Sequence, residues 1–95
     1  MKIHLTAVIK AKEEYRTAVL EVLQNMVKET RKEKACELYT LHQGIEDNNQ
    51  FVFYEIWEIE EGLAQHNEQP YIKAFGSLID EKLQEKPQIY TTHLI

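Results

Sequence analysis

Apolar and polar residues alternate from Lys2 to Ala11, KIHLTAVIKA, and the stretch is rich in β-branched residues, which predicts a first strand. From about Glu13 to Arg31 the period lengthens. Tyr15, Val19, Val22, Leu23, Met26, Val27 and Thr30 recur at three and four, with Glu, Lys and Arg opposite them, so this segment reads as an amphipathic helix. Its start carries no good Ser, Thr or Asp cap. Residues 35–46, ACELYTLHQGIE, return to strand character. Asp47, Asn48 and Asn49 are turn formers, and a third strand, Phe51 to Trp57, follows at once, giving a β-hairpin. A second helical region runs from Glu60 to Asn67. Pro70 restarts it, because proline suits a first helical turn and not an interior. Tyr71, Ala74, Phe75, Leu78, Ile79 and Leu83 form the next apolar stripe. Pro87 ends it, and residues 88–95, QIYTTHLI, read as a fourth strand. The order β-α-β-β-α-β predicts an α+β, ferredoxin-like fold: a four-stranded antiparallel sheet with its helices on one face.

The third strand adds a constraint. Phe51, Phe53, Glu55 and Trp57 share one face, while Val52, Tyr54 and Ile56 share the other. Both faces are apolar, so both need covering, and the helices cover only one. A bare apolar face of this kind marks an association site, and the expected partner is a second copy of the chain. Ninety-five residues make one domain, 1–95. A chain this short buries a modest share of its surface, so a partner would add useful burial.

Net charge is −5, with both signs interspersed, which argues against a nucleic-acid or anionic-membrane surface. No apolar run is long enough to span a bilayer and no signal-peptide pattern opens the chain. The single Cys36 excludes an intrachain disulfide. These features lead to the expectation of a cytoplasmic protein. No phosphate-binding glycine loop, nucleophile elbow, zinc-finger spacing or HExxH is present, and three glycines are too few for a dinucleotide cradle.

Four segments together resemble the antibiotic biosynthesis monooxygenase family of dimeric α/β barrels, which includes small quinol monooxygenases. Glu33-Lys34-Ala35-Cys36 looks like the family's Glu-Pro-Gly-Cys lead-in to the second strand, with Tyr39 following. Phe51 to Trp57 looks like its apolar strand ending in Glu-x-Trp. His66 stands where the family has a helical histidine. Pro70-Tyr71-Ile72-Lys73-Ala74-Phe75 looks like its Pro-His-x-Lys-x-Phe segment, with Tyr71 in place of a second histidine. The resemblance covers nearly the whole chain. It implies a homodimer with sheets packed face to face and a pocket between sheet and helices in each subunit. It does not fix one reaction, since relatives include oxygenases, isomerases and proteins of no known activity. Haem-degrading relatives carry a first-strand asparagine that this chain lacks.

The resemblance implies, as the leading expectation, a cofactor-independent monooxygenase that uses molecular oxygen as co-substrate on a quinol or other small electron-rich aromatic. Triplet dioxygen reacts poorly with closed-shell molecules, whereas a deprotonated, electron-rich substrate can donate one electron to it. The protein then supplies a base, a dry aromatic cavity and an orienting donor. His66 is the candidate base, against the alternative of a histidine satisfied by a backbone group. Trp57 offers a flat wall and one N–H donor, or only fills the core. Glu55 either takes a substrate proton, pairs with a Lys or Arg, or holds His66 in one tautomer. Tyr39, Phe53, Tyr71 and Phe75 are candidate substrate-binding residues, or simply core. His4 and His93 lie on neighbouring strands and are expected as a surface cross-strand pair, too poor in donors for a metal site. His42 has no partner by spacing, and Cys36 reads as a small buried thiol. Two other functions fit the same residues. One is an isomerase of a small carbonyl compound, for which Lys73 near the pocket mouth would favour a phosphorylated substrate. The other is a non-catalytic dimer that binds a small molecule or haem.

Overall fold

A computed structural model describes residues 1–95. The elements are β1 (Ile3–Lys10), a single 3-10 turn (Glu13–Tyr15), α1 (Arg16–Thr30), β2 (Cys36–Gln43), β3 (Gln50–Trp57), α2 (Glu60–Asn67), α3 (Pro70–Lys82) and β4 (Gln88–Thr92). The 3-10 turn occupies the uncapped helix start. Tyr15 N–H bonds back to the Lys12 carbonyl at 2.9 Å, which supplies by backbone what no side chain provides. β2 stops at Gln43 and not at Glu46, because Gly44 N–H already closes onto the Gln50 carbonyl at 2.8 Å and Asn49 N–H onto Asp47 Oδ1 at 3.0 Å. Ile45 is left fully exposed at the loop tip. β4 ends at Thr92 and not at Ile95.

The sheet order is β2-β3-β1-β4, and every neighbouring pair is antiparallel. This is the ferredoxin-like arrangement that the alternation predicts. Register places Tyr39, Glu55 and Leu5 in one row of the inner face, and Leu41, Phe53 and Ala7 in the next. The helices close this face. α1 contributes Val19, Leu23, Met26 and Thr30, a four-three-four spacing on one helical stripe. α3 contributes Leu78, with Tyr71, Ile72, Phe75 and Ile79 partly buried; Ala74, expected on the stripe, is exposed, and Ile72 packs instead. Leu83 is buried just beyond the helix, where the chain has become extended and bridges to Ala11.

The outer face carries Leu38, Ile56 and His4 in one row, and Thr40, Tyr54 and Thr6 in the next. No helix lies over it. β4 is exposed along its whole length. Ile89, whose register partner Ala7 faces inward, is itself 60% exposed, because α2 and α3 do not extend over this edge strand. His4 does not pair with His93: its register partner is Thr92, and its Nδ1 is hydrogen-bonded to the Tyr54 hydroxyl at 2.7 Å.

α2 lies very close to the lead-in of β2. A Cβ built on Gly62 would sit 2.3 Å from Ala35 Cβ, whereas one built on Gly76 in α3 meets nothing within 4 Å. Gly62→Ala should therefore destabilise the protein by about 1–3 kcal/mol through overpacking. Gly76→Ala should stabilise it by about 0.5–1 kcal/mol, since only the helix propensity changes. Urea denaturation of both variants beside the parent checks the pair, and a neutral Gly62→Ala would refute the tight α2 contact.

Candidate functional site

His66 sits at the centre of an aromatic nest. It occupies the last turn of α2 and turns inward, 4% exposed. The Trp57 ring lies 4.5 Å from it, centroid to centroid, Tyr39 5.6 Å and Tyr71 6.3 Å, the two tyrosines edge-on. Strand alternation brings Trp57 inward from β3 and Tyr39 inward from β2, while Tyr71 arrives from the first turn of α3 because Pro70 starts that helix there. Burial pushes the imidazole below its usual pKa, and Glu33 opposes that push only in part.

The carboxylate bound to His66 is Glu33, not Glu55. Glu33 Oε2 accepts a hydrogen bond from His66 Nδ1 at 2.8 Å and another from the Tyr71 hydroxyl. Glu55 neither holds His66 nor meets a Lys or Arg. Its Oε1 accepts Trp57 Nε1–H at 2.8 Å, because residues two apart in a strand share a face and no cation reaches that face. The Trp57 donor is thereby engaged and the ring is fully buried, so Trp57 is a wall behind His66. Glu55 is 4% exposed, and burial, the largest influence, pushes its carboxyl up to about 7.

A cavity of about 110 Å³ opens between the inner sheet face and α2 and α3. Tyr39, Phe53, Glu55, His66 and Phe75 border it, with Asn67 and Ile89 at its edge among the aliphatic lining. Neither Trp57 nor Tyr71 borders it. Tyr71 gives its hydroxyl to Glu33, and burial with that carboxylate pushes the phenol above its usual range. A larger open groove of about 420 Å³ runs between α2 and the ends of β1 and β4, but it contains none of Glu55, Trp57 or His66. The smaller cavity is the candidate site because two titratable groups converge there on an apolar wall.

The remaining polar residues are accounted for locally. Lys73 points away from the cavity and pairs with Glu68 at 2.9 Å, both exposed, because it lies on the outer side of α3. His42 Nε2 is 2.9 Å from Thr40 Oγ1. Cys36 is half-buried rather than buried, and burial pushes its thiol up to about 11. No three His, Cys, Asp or Glu side chains converge as a metal-ligand set. No helix is long and apolar enough to cross a membrane. Two participants were not singled out by sequence. Glu33 stands out along the chain only as part of its motif, since it lies thirty-three positions from His66. Thr30 reads along the chain as one more stripe position, yet its hydroxyl is fully buried beside the Tyr39 and Tyr71 phenols.

Comparison with known proteins places this geometry in context. The family model described as antibiotic biosynthesis monooxygenase matches residues 2–77. An uncharacterized protein from Synechocystis is 27% identical over 67 residues, which are 70% of this chain and 46% of that protein, so the match spans about half the relative's length. A crystal structure from Pseudomonas aeruginosa superposes with a TM-score of 0.93 at 26% identity, covering 99% of this chain and 94% of that one. A structure from Mycobacterium tuberculosis also gives 0.93, at 19% identity over 100% and 96% of the two chains, and demonstrates the shared fold.

The buried carboxyl yields a pH-dependent stability. Glu55 holds its proton more tightly folded, at about 7, than unfolded, near 4.5. Its contribution is therefore fully present below about pH 4.5 and is lost as pH rises through 7. Glu55→Gln keeps an acceptor for Trp57 Nε1–H and cannot ionise. The stability of this variant relative to the parent should rise by about 3 kcal/mol between pH 4.5 and 8. His66 is common to both proteins and cancels. Denaturant titrations at the two pH values measure the difference, and a pH-independent one would refute the burial cost.

Proposed function

The chain belongs to the antibiotic biosynthesis monooxygenase family, and on that premise we propose that it is a cofactor-independent monooxygenase acting on a single-ring quinol or similarly electron-rich aromatic. The observation that carries this reading is the 110 Å³ cavity in which the His66 ring and the Glu55 carboxyl face an apolar wall of Phe53, Phe75 and Tyr39. An apolar cavity of roughly 150 Å³ accepts benzene, so this smaller space limits the occupant to a single ring.

In this reading His66 is the base. Burial keeps it neutral near pH 7, and no protein group bonds its Nε2, so that nitrogen takes the substrate's hydroxyl proton. The resulting anion passes one electron to dioxygen, and the radical pair joins at a ring carbon. Loss of water then breaks the O–O bond. One oxygen stays as a carbonyl and the other leaves in the water, with all four electrons drawn from the substrate. No resident cofactor is required. Glu55 is well placed to relay the proton back, since a carboxyl near 7 exchanges readily at neutral pH. Trp57 and Tyr71 act on the ring of His66, and Tyr39, Phe53 and Phe75 hold the substrate.

The functional unit in this proposal is a homodimer formed through the open sheet face. Val52, Tyr54 and Ile56 present an apolar strip there, and Tyr90 on β4 is 52% exposed. A second sheet laid on the first would bury this area as in a sheet sandwich.

Oxygen uptake measured against a panel of single-ring hydroquinones should detect turnover, and His66→Ala should lower kcat at least about 100-fold. Labelled dioxygen should place one atom in the product and one in water. Equal rates for the two proteins would remove His66 from the mechanism, and turnover under strict anaerobiosis would replace oxygenation with isomerisation. Separately, light scattering should give a dimer at micromolar concentration, and Val52→Asp should give a monomer. A monomeric parent would sink the dimer.

A further inference from the structure

We propose that Glu33 is a positioning residue: it fixes His66 as the tautomer protonated at Nδ1 and so reserves Nε2 as the proton acceptor at the cavity, while Tyr71 steadies the Glu33 carboxylate. The inference deepens the oxygenase reading and rests on it for the role of His66, but the tautomer itself stands on geometry alone.

An ionised carboxylate can only accept hydrogen bonds. Glu33 Oε2 receives two, from His66 Nδ1 and from the Tyr71 hydroxyl. Both partners must therefore be donors, and a neutral imidazole that donates from Nδ1 carries its lone pair on Nε2. The Glu33 side chain is only 13% exposed, so water competes little for that oxygen. Its backbone is pinned on both sides: Glu33 N–H bonds the Thr30 carbonyl at 2.9 Å, and Cys36 N–H bonds the Glu33 carbonyl at 3.1 Å. Next to it, Arg31 clasps the Tyr39 carbonyl through Nε and Nη2 at 3.2 and 3.0 Å, tying this loop to β2. The carboxylate is thus held by the fold before any substrate arrives.

Tyr71 completes the arrangement. A carboxylate with a single donor could swing or turn its other oxygen to the ring, whereas a second donor at the same oxygen holds its plane. The tyrosine that stands in place of a second histidine thereby supports one base instead of adding another. The titratable and polar groups packed around His66 are Glu33 from the loop before β2, Tyr39 from β2, Glu55 and Trp57 from β3, and Tyr71 from α3, with Cys36 near Glu33 and Glu55. Glu33 is the only one hydrogen-bonded to the imidazole, and its charge favours the imidazolium that forms once the substrate proton has moved.

Glu33→Gln tests this directly, because an amide offers both an acceptor and a donor and no charge. Nitrogen NMR of histidine-labelled parent at pH 7.5 should show His66 protonated at Nδ1 with Nε2 bare. In Glu33→Gln the Nε2–H tautomer should appear, kcat should fall at least about tenfold with KM nearly unchanged, and the acid limb of the pH–rate profile should move to lower pH. Tyr71→Phe should keep the parent tautomer. A parent spectrum with Nε2–H overturns the proposal outright, and decides the matter even if Glu33→Gln does not fold. An unmoved tautomer in a folded Glu33→Gln also overturns it. If the parent shows Nδ1–H but no quinol is turned over, the oxygenase reading fails and the tautomer assignment stands.

Discussion

A carboxyl group placed inside a small protein must be given hydrogen bonds or give up its charge, and this structure holds two such groups within one aromatic nest. They meet the constraint in opposite ways. Glu33 keeps a rim of exposure and collects two strong donors at one oxygen. Glu55 lies deeper, with a single indole donor, and its burial favours the protonated form. The imidazole lies between these unlike environments. One side carries the Glu33 carboxylate bonded to Nδ1, and the other the cavity that Glu55 also borders.

The surrounding fold follows from the same strand. β3 is central in chain order and in the sheet, flanked by β2 and β1. Its inward residues, Phe51, Phe53, Glu55 and Trp57, are all buried. The helices are placed by what those four side chains need, and Gly62 lets α2 descend until His66 reaches the ring of Trp57. Site and core are therefore not separable: the wall of the cavity is the hydrophobic core seen from one end.

Much of this was legible along the chain. Alternation identified the strands and which residues of β3 face together, and Pro70 marked the break between α2 and α3 to the residue. What escaped was whatever depends on pairing between distant segments. Glu33 reads only as the start of the lead-in to β2, because nothing local marks a carboxylate as the partner of a histidine on the far side of two strands. The Glu55–Trp57 bond was open to reading, since both residues fall on one face, but the depth that makes the carboxyl reluctant to ionise comes from the helices above it. The exposure of both faces of β4 was equally hidden: Ile89 has the pattern of an inward residue, and only the finite reach of α2 and α3 leaves it uncovered.

Cys36 begins β2 opposite Trp57 and is the sole sulfhydryl of the chain. Its proton is held tightly enough that almost no thiolate exists at physiological pH, so electrophiles find little to attack while the strand stays docked. Detachment of β2 would expose it and restore ordinary nucleophilicity. Faster alkylation would thus report loosening of β2, whose Tyr39 lies edge-on to His66.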